Sequence, residues 1–154
     1  MSLVANPPLP FGAWNVVQLK EQITVTSILR YNEAENIILL QPFPGAHIDV
    51  PQAIENREAA SRLCGKRKAG MLVVGTSEIT TTPPMRELCA TAEYNENVFA
   101  IALVSPLATM KILGNFYLRI NRPAVITRFF TTPEAARNWL RREAAAYELS
   151  QKSQ

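Results

Sequence analysis

No apolar run in this chain is long enough to cross a bilayer. The longest, Val98 to Val104 and Ile112 to Ile120, are broken or flanked by polar residues, whereas a spanning helix needs about 20 consecutive apolar positions. The start, Met1-Ser2-Leu3-Val4-Ala5-Asn6-Pro7-Pro8, has no basic segment followed by an apolar one, so it does not read as a secretion signal and a cytoplasmic location is expected. Cysteine is scarce. Cys64 and Cys89 form neither a Cys-x-x-Cys pair nor a spaced Cys/His set, which removes a disulfide framework and a zinc site and leaves two buried free thiols as the expectation. His47 is the only histidine. Gly75-Thr76-Ser77 lacks the second glycine and the lysine of a phosphate loop, and no Gly-x-Ser-x-Gly phrase occurs, so nucleotide and hydrolase fingerprints are both missing. The net charge is only +3, and Lys66-Arg67-Lys68 has no interleaved aromatics. It reads as a solvated turn, and nucleic acid is not an expected partner.

What is present is an ordinary globular balance, 47% hydrophobic and 19% charged residues over 154 positions, enough for one core and too little for two robust ones. The division expected is an extended or disordered arm over 1–12, outside the core, one domain over 13–148, and a frayed tail over 149–154. From Trp14 to Lys20 and from Gln22 to Leu29, apolar and polar residues roughly alternate, with Ile23, Val25 and Leu29 on one side and Thr24 and Thr26 on the other. These read as antiparallel strands with one wet face. Asn32-Glu33 breaks the pattern as a turn, and Ile37 to Leu40 resumes it as a strand ending at Pro42 and Pro44.

Three helix starts follow one grammar. Asp49 precedes Pro51 and Gln52, an acidic cap with glutamine at the capping-box position. Thr82 precedes Pro83 and Pro84, and Thr132 precedes Pro133. The first helix puts Ile54, Ala60, Leu63 and Cys64 on one face and stops at Gly65. The second buries Met85, Leu88, Cys89 and Ala92 and runs to Asn95 or Asn97. The last buries Ala136, Trp139, Leu140 and Tyr147 and exposes Arg137, Arg141 and Arg142. Between them, Met71 to Val74 and Val98 to Val104 are continuous apolar runs, as expected of strands covered on both faces. Strand and helix alternation of this kind calls for a largely parallel sheet with an antiparallel N-terminal hairpin at its edge.

Ser105-Pro106 repeats the cap-and-proline start for a helix to Asn121. Leu107, Met110, Leu113 and Tyr117 form its stripe, but Ile112, Phe116 and Leu118 spread apolar surface wider than one contact needs. Gly114 costs about 1 kcal/mol of helix propensity relative to alanine, a cost offset if another element must approach closely. Met110, Leu113, Gly114, Phe116 and Tyr117 are therefore the candidate interface or ligand residues. A subunit interface, an apolar cleft and a tightly wrapped intrachain core are the three readings.

The closing segment, Gly114-Asn115-Phe116-Tyr117-Leu118 through Asn121-Arg122-Pro123 and Thr127-Arg128-Phe129-Phe130-Thr131, together with Pro42-Phe43-Pro44-Gly45-Ala46-His47-Ile48-Asp49, resembles small bacterial STAS-like (anti-sigma-factor-antagonist-like) domains of unassigned function, from about Leu19 to Leu140. The resemblance implies a four- or five-stranded mixed sheet with helices chiefly on one face, commonly a dimer, and no established catalysis; for this chain the expectation is an α/β fold with a mixed sheet of four to six strands and about four helices, and no cofactor. In signalling members a Ser or Thr at the start of the helix after the central strand is phosphorylated. Thr82, with Thr80 and Thr81, occupies that place, where helix N–H groups favour a phosphate. The usual Asp-Ser-Ser/Thr-Gly phrase is absent and two prolines follow, so Thr82 also reads as a plain N-cap.

His47 with Asp49 two residues on suggests a base and its orienting carboxylate, yet no nucleophile stands near in sequence and Asp49 has a helix to cap. The sequence thus points to a non-catalytic domain for regulatory protein interaction, acting as a homodimer. A binder of a small apolar or lipid-like ligand in a cleft between helix and sheet is the alternative.

Overall fold

The computed structural model describes residues 7–12, 14, 18–75, 78–105 and 117–153. Six strands form the main sheet in the order β1-β2-β3-β5-β7-β8: β1 (Lys20–Ile23), β2 (Ser27–Asn32), β3 (Ile37–Pro42), β5 (Ala69–Val74), β7 (Val98–Val104) and β8 (Ile126–Phe130). The first three pair antiparallel and the rest parallel. Two short strands, β4 (His47–Ile48) and β6 (Thr80–Thr81), pair with each other outside it. The helices are α1 (Val50–Cys64), α2 (Pro83–Cys89), α3, of which residues 117–121 are described, and α4 (Pro133–Lys152). The expected class therefore stands: a mixed α/β sheet opening on an antiparallel hairpin, then helix and strand in alternation.

The predicted starts form for the expected reasons. Asp49 accepts from the Val50 amide at 2.8 Å while Gln52 Oε1 accepts from the Asp49 amide at 3.0 Å, the reciprocal capping box. Thr82 Oγ1 accepts from the Met85 amide, and Thr132 Oγ1 from that of Ala135, each at 3.3 Å. Asn36, at φ 58°, turns the chain between β2 and β3. Its side chain accepts from Tyr31 Oη and donates to the Lys68 carbonyl, both at 2.7 Å, which fixes a backbone shape that asparagine tolerates.

Pleat parity divides the sheet into two faces. Ile37, Leu39, Leu72, Ala100, Ala102 and Val104 point to α4 and form a closed core with Ala136, Trp139 and Leu140. At its tightest point Gly70 stands where a Cβ would lie 3.2 Å from Leu140 Cδ2. The opposite face is covered by α1 over Leu29, Tyr31, Ile38 and Leu40.

Several expectations are corrected. The described part of the arm, residues 7–12, is not outside the core: Phe11 is buried edge-to-face on Trp14 at 4.9 Å, and the carbonyls of Pro7 and Pro8 accept from Arg30 and Gln41. Helix α4 runs on to Lys152, beyond the expected fraying point. The first hairpin has a shifted register, because Thr24-Val25-Thr26 is its turn. Val25 is 80% exposed, while Thr24 and Thr26 are buried on Ser27 and Asn56 through hydrogen bonds. Ile54 lies on the outer side of α1, whose buried face is Ala53, Asn56, Ala59, Ala60, Leu63 and Cys64. Helix α2 ends at Cys89, and Ala92 is exposed beyond it, because Asn95 Nδ2 donates to the carbonyls of Cys89 and Thr91 at 2.8 Å and closes the helix early.

Arg137 is not an exposed cation. Its side chain, 16% exposed, grips Glu35 through Nη2 at 2.6 Å and Nε at 2.9 Å, and the same carboxylate accepts from Trp14 Nε1 and Asn32 Nδ2. Ringed by four donors counting Arg141 at 3.5 Å, Glu35 ties the β2–β3 turn to α4 and to the N-terminal segment.

Candidate functional site

The continuous apolar runs of β5 and β7 are covered on both faces only in part. Met71 and Val73 of β5, Ile101 and Leu103 of β7, and Thr127 and Phe129 of β8 share the face away from α4 by register. Met71 and Val73 pack against the edge of the α1 cluster, but α1 itself packs chiefly on β1 and β2. Between this part of the sheet, α1, α2 and the described end of α3 lies a partly open cavity of about 720 Å³ with a mainly apolar lining. That size falls within the roughly 300–1,000 Å³ of small-molecule sites.

At one end of the cavity stands a polar cluster that the sequence reading missed. Tyr94 Oη donates to the Ala53 carbonyl of α1 at 2.8 Å and meets the Cys89 thiol of α2, and Tyr117 Oη donates to the Arg86 carbonyl at 3.4 Å. Burial pushes the Cys89 thiol up to about 11 and the Tyr117 phenol up to about 12, and raises Tyr94 further, so all three stay neutral at physiological pH. Cys89 is thus a weak nucleophile here. Cys64, under α1, is also a free thiol raised by burial. Cys89 and Tyr94 are close in sequence, but Tyr117 comes from another helix, and nothing local in the sequence joins the three.

Beside the cavity, which Ile48 and Thr81 line, β4 and β6 bring His47, Asp49, Thr80, Thr81 and Thr82 together. His47 Nδ1 lies 2.7 Å from Thr80 Oγ1, Thr81 Oγ1 accepts from Arg86 Nη1 at 2.8 Å, and Thr82 Oγ1 donates to Asp49 Oδ1 at 2.6 Å. The Thr82 hydroxyl and then the Val50 amide hold the Asp49 carboxyl below its usual range. His47 therefore bonds a threonine while Asp49 spends its oxygens on two helix starts, and the pair is not joined as a base and its carboxylate. Thr82 has the hydrogen bonds of a cap: it receives its own helix's amide and gives its proton to the cap of α1. Of the interface or ligand residues, Tyr117 lines the cavity, whereas Met110, Leu113, Gly114 and Phe116 lie outside the described residues. Among the described residues no group of three or more His, Cys, Asp or Glu is placed to hold a metal ion, and no helix is long and apolar enough to cross a membrane.

Fold and cavity together define an α/β domain with one sheet face closed by a helix and the other opening on an apolar chamber. The chain belongs to the family described as a domain of unknown function, DUF7793, whose model matches residues 31–143. Among solved structures it is similar to an uncharacterized DUF3478-family protein with a SpoIIAA-like fold from Shewanella loihica PV-4, at 10% identity and a TM-score of 0.49 over 80% of this chain and 92% of that one. No curated protein matches the chain.

Proposed function

We propose that this domain is a non-catalytic binding module whose cavity holds a small apolar molecule between the sheet and α1–α2. The observation that carries the reading is the chamber of about 720 Å³ on the β5–β7–β8 face. A void of that size lined by carbon leaves strand residues without packing partners, and a bound apolar molecule restores them. Two thiols that are both free fit a reducing, cytoplasmic setting.

Native mass spectrometry of the protein purified without detergent is the test. A retained organic compound of a few hundred daltons, lost in Leu103→Trp, supports the proposal. Absence of any adduct, with no uptake from a panel of apolar compounds, defeats it. The regulatory homodimer keeps one supporting observation: Ile120 at the end of α3 and Ile126 on the edge strand β8 are 62% and 51% exposed, apolar surface that a partner could cover. Light scattering should then show a dimer that Ile126→Asp weakens, and a monomer indifferent to that change removes the second reading.

A further inference from the structure

We infer that the occupant of the cavity is an amphipathic acid, with an apolar tail along the sheet and an anionic head held between Arg57 of α1 and Arg86 of α2. The inference rests on the binding reading above and adds the chemical class of the ligand.

Arg57 and Arg86 both line the cavity, and each acts on a phenol of the polar cluster, Arg57 on Tyr94 and Arg86 on Tyr117. The Tyr94 phenol bonds α1 one turn before Arg57, while the Tyr117 phenol bonds the Arg86 carbonyl. Tyr94 and Tyr117 each interact with the Cys89 thiol, so one compact cluster has Arg57 on one flank and Arg86 on the other.

Three asparagines of the lining are already engaged. Asn56 is bonded to Thr24 and Thr26, Asn95 to two backbone carbonyls, and Asn97 to Ser61. Among the described residues Arg57 has no ion-pair or hydrogen-bond partner, and Arg86 spends one N–H on Thr81. A guanidinium has five donors in a planar fork suited to a carboxylate. Glu87 also reaches the lining, but its carboxylate pairs with neither arginine, which leaves the end net positive. A half-buried, unspent fork beside an apolar chamber is complementary to a molecule with one acidic head and a hydrocarbon body.

Calorimetric titration with decanoate and with decan-1-ol at pH 8 separates head from tail. Decanoate is expected to bind roughly 10- to 100-fold more tightly, the range of a charge-assisted hydrogen-bond pair. Each methylene added from octanoate to dodecanoate should strengthen binding about fourfold. The double variant Arg57→Gln, Arg86→Gln, checked for an unchanged melting curve, should lose the preference for the acid while its affinity for decan-1-ol stays within about twofold. Equal binding of acid and alcohol by the unaltered protein, or a preference that survives the double variant, overturns the head-group inference and leaves the apolar pocket standing. If neither compound binds at any chain length, both the inference and the reading beneath it fall.

Discussion

On one face of the sheet, Leu72, Ala100, Ala102 and Val104 meet Ala136, Trp139 and Leu140, all at most 3% exposed. On the other, Met71, Val73, Ile101 and Leu103 of the same two strands end at a cavity. The strand residues are equally apolar on both sides, so hydrophobicity alone does not decide which face closes. The helices decide it. Helix α4 is 20 residues long, carries a tryptophan and lies close over Gly70, whereas α1 sits over the antiparallel strands and α2 spans only seven residues. Among the described residues α1 and the short α2 leave part of β5, β7 and β8 unroofed, and that space is the candidate site.

The comparison is tested most severely by one substitution made on each face. Leu72→Ala empties a closed core and is expected to cost about 2–5 kcal/mol of unfolding free energy, with the spread set by how far the site collapses. Leu103→Ala, in the neighbouring strand but facing the cavity, deletes atoms that already lack partners on one side and should cost less than about 1.5 kcal/mol. Urea denaturation of both variants reads the difference, and equal losses would mean that the cavity is closed in solution.

Glu35→Gln comes next, because the closed face is also where the chain ties its ends together. Losing the charge leaves Arg137 facing a neutral amide at a site where the carboxylate is 14% exposed. The loss should be about 2 kcal/mol, smaller than for a fully buried pair. The same change should release the N-terminal segment, read as faster proteolysis near Phe11.

The open face should show itself through pH. The Cys89 thiol is raised from 9.0 to about 11 by burial, so the folded state keeps its proton where the unfolded chain loses it. Its contribution is intact below pH 9 and is lost as pH rises toward 11, with a slope of at most about 1.4 kcal/mol per unit. Cys89→Ala should flatten the stability profile between pH 9 and 10, and Tyr117, raised to about 12, should add its own loss above pH 10.

How much of this was legible depends on range. Features set by neighbours in sequence were readable: the Asp49–Gln52 box, the Thr82 and Thr132 caps, and β7 with its bounds at Val98 and Val104. Contacts between distant residues were not. Arg137 lies at an exposed helical phase and finds Glu35 across 102 positions, and Phe11 looks like part of a proline-rich arm until Trp14 and Arg137 are seen around it. An apolar cleft was one of three open readings, and the sequence could not choose it for a subtler reason. A continuous apolar strand announces two dry faces, but a face turned to an empty apolar chamber and a face turned to a helix demand the same residues.

That ambiguity supplies the finest test, made on two adjacent residues. Ala102 and Ile101 alternate across β7, one under α4 and the other toward the chamber. Adding bulk at Ala102, as in Ala102→Leu, pushes against Trp139 and Leu140 and should cost about 1–3 kcal/mol, because a packed core has no slack. Adding bulk at Ile101, as in Ile101→Phe, extends into free space, and its effect on the unfolding midpoint should stay within about 1 kcal/mol of zero in either direction. The same variant should weaken uptake of an apolar probe at least tenfold, since the ring occupies volume the probe needs. A variant that is neutral in stability yet impaired in binding separates a site from a packing defect, because a defect filled by carbon gains stability and has no binding to lose.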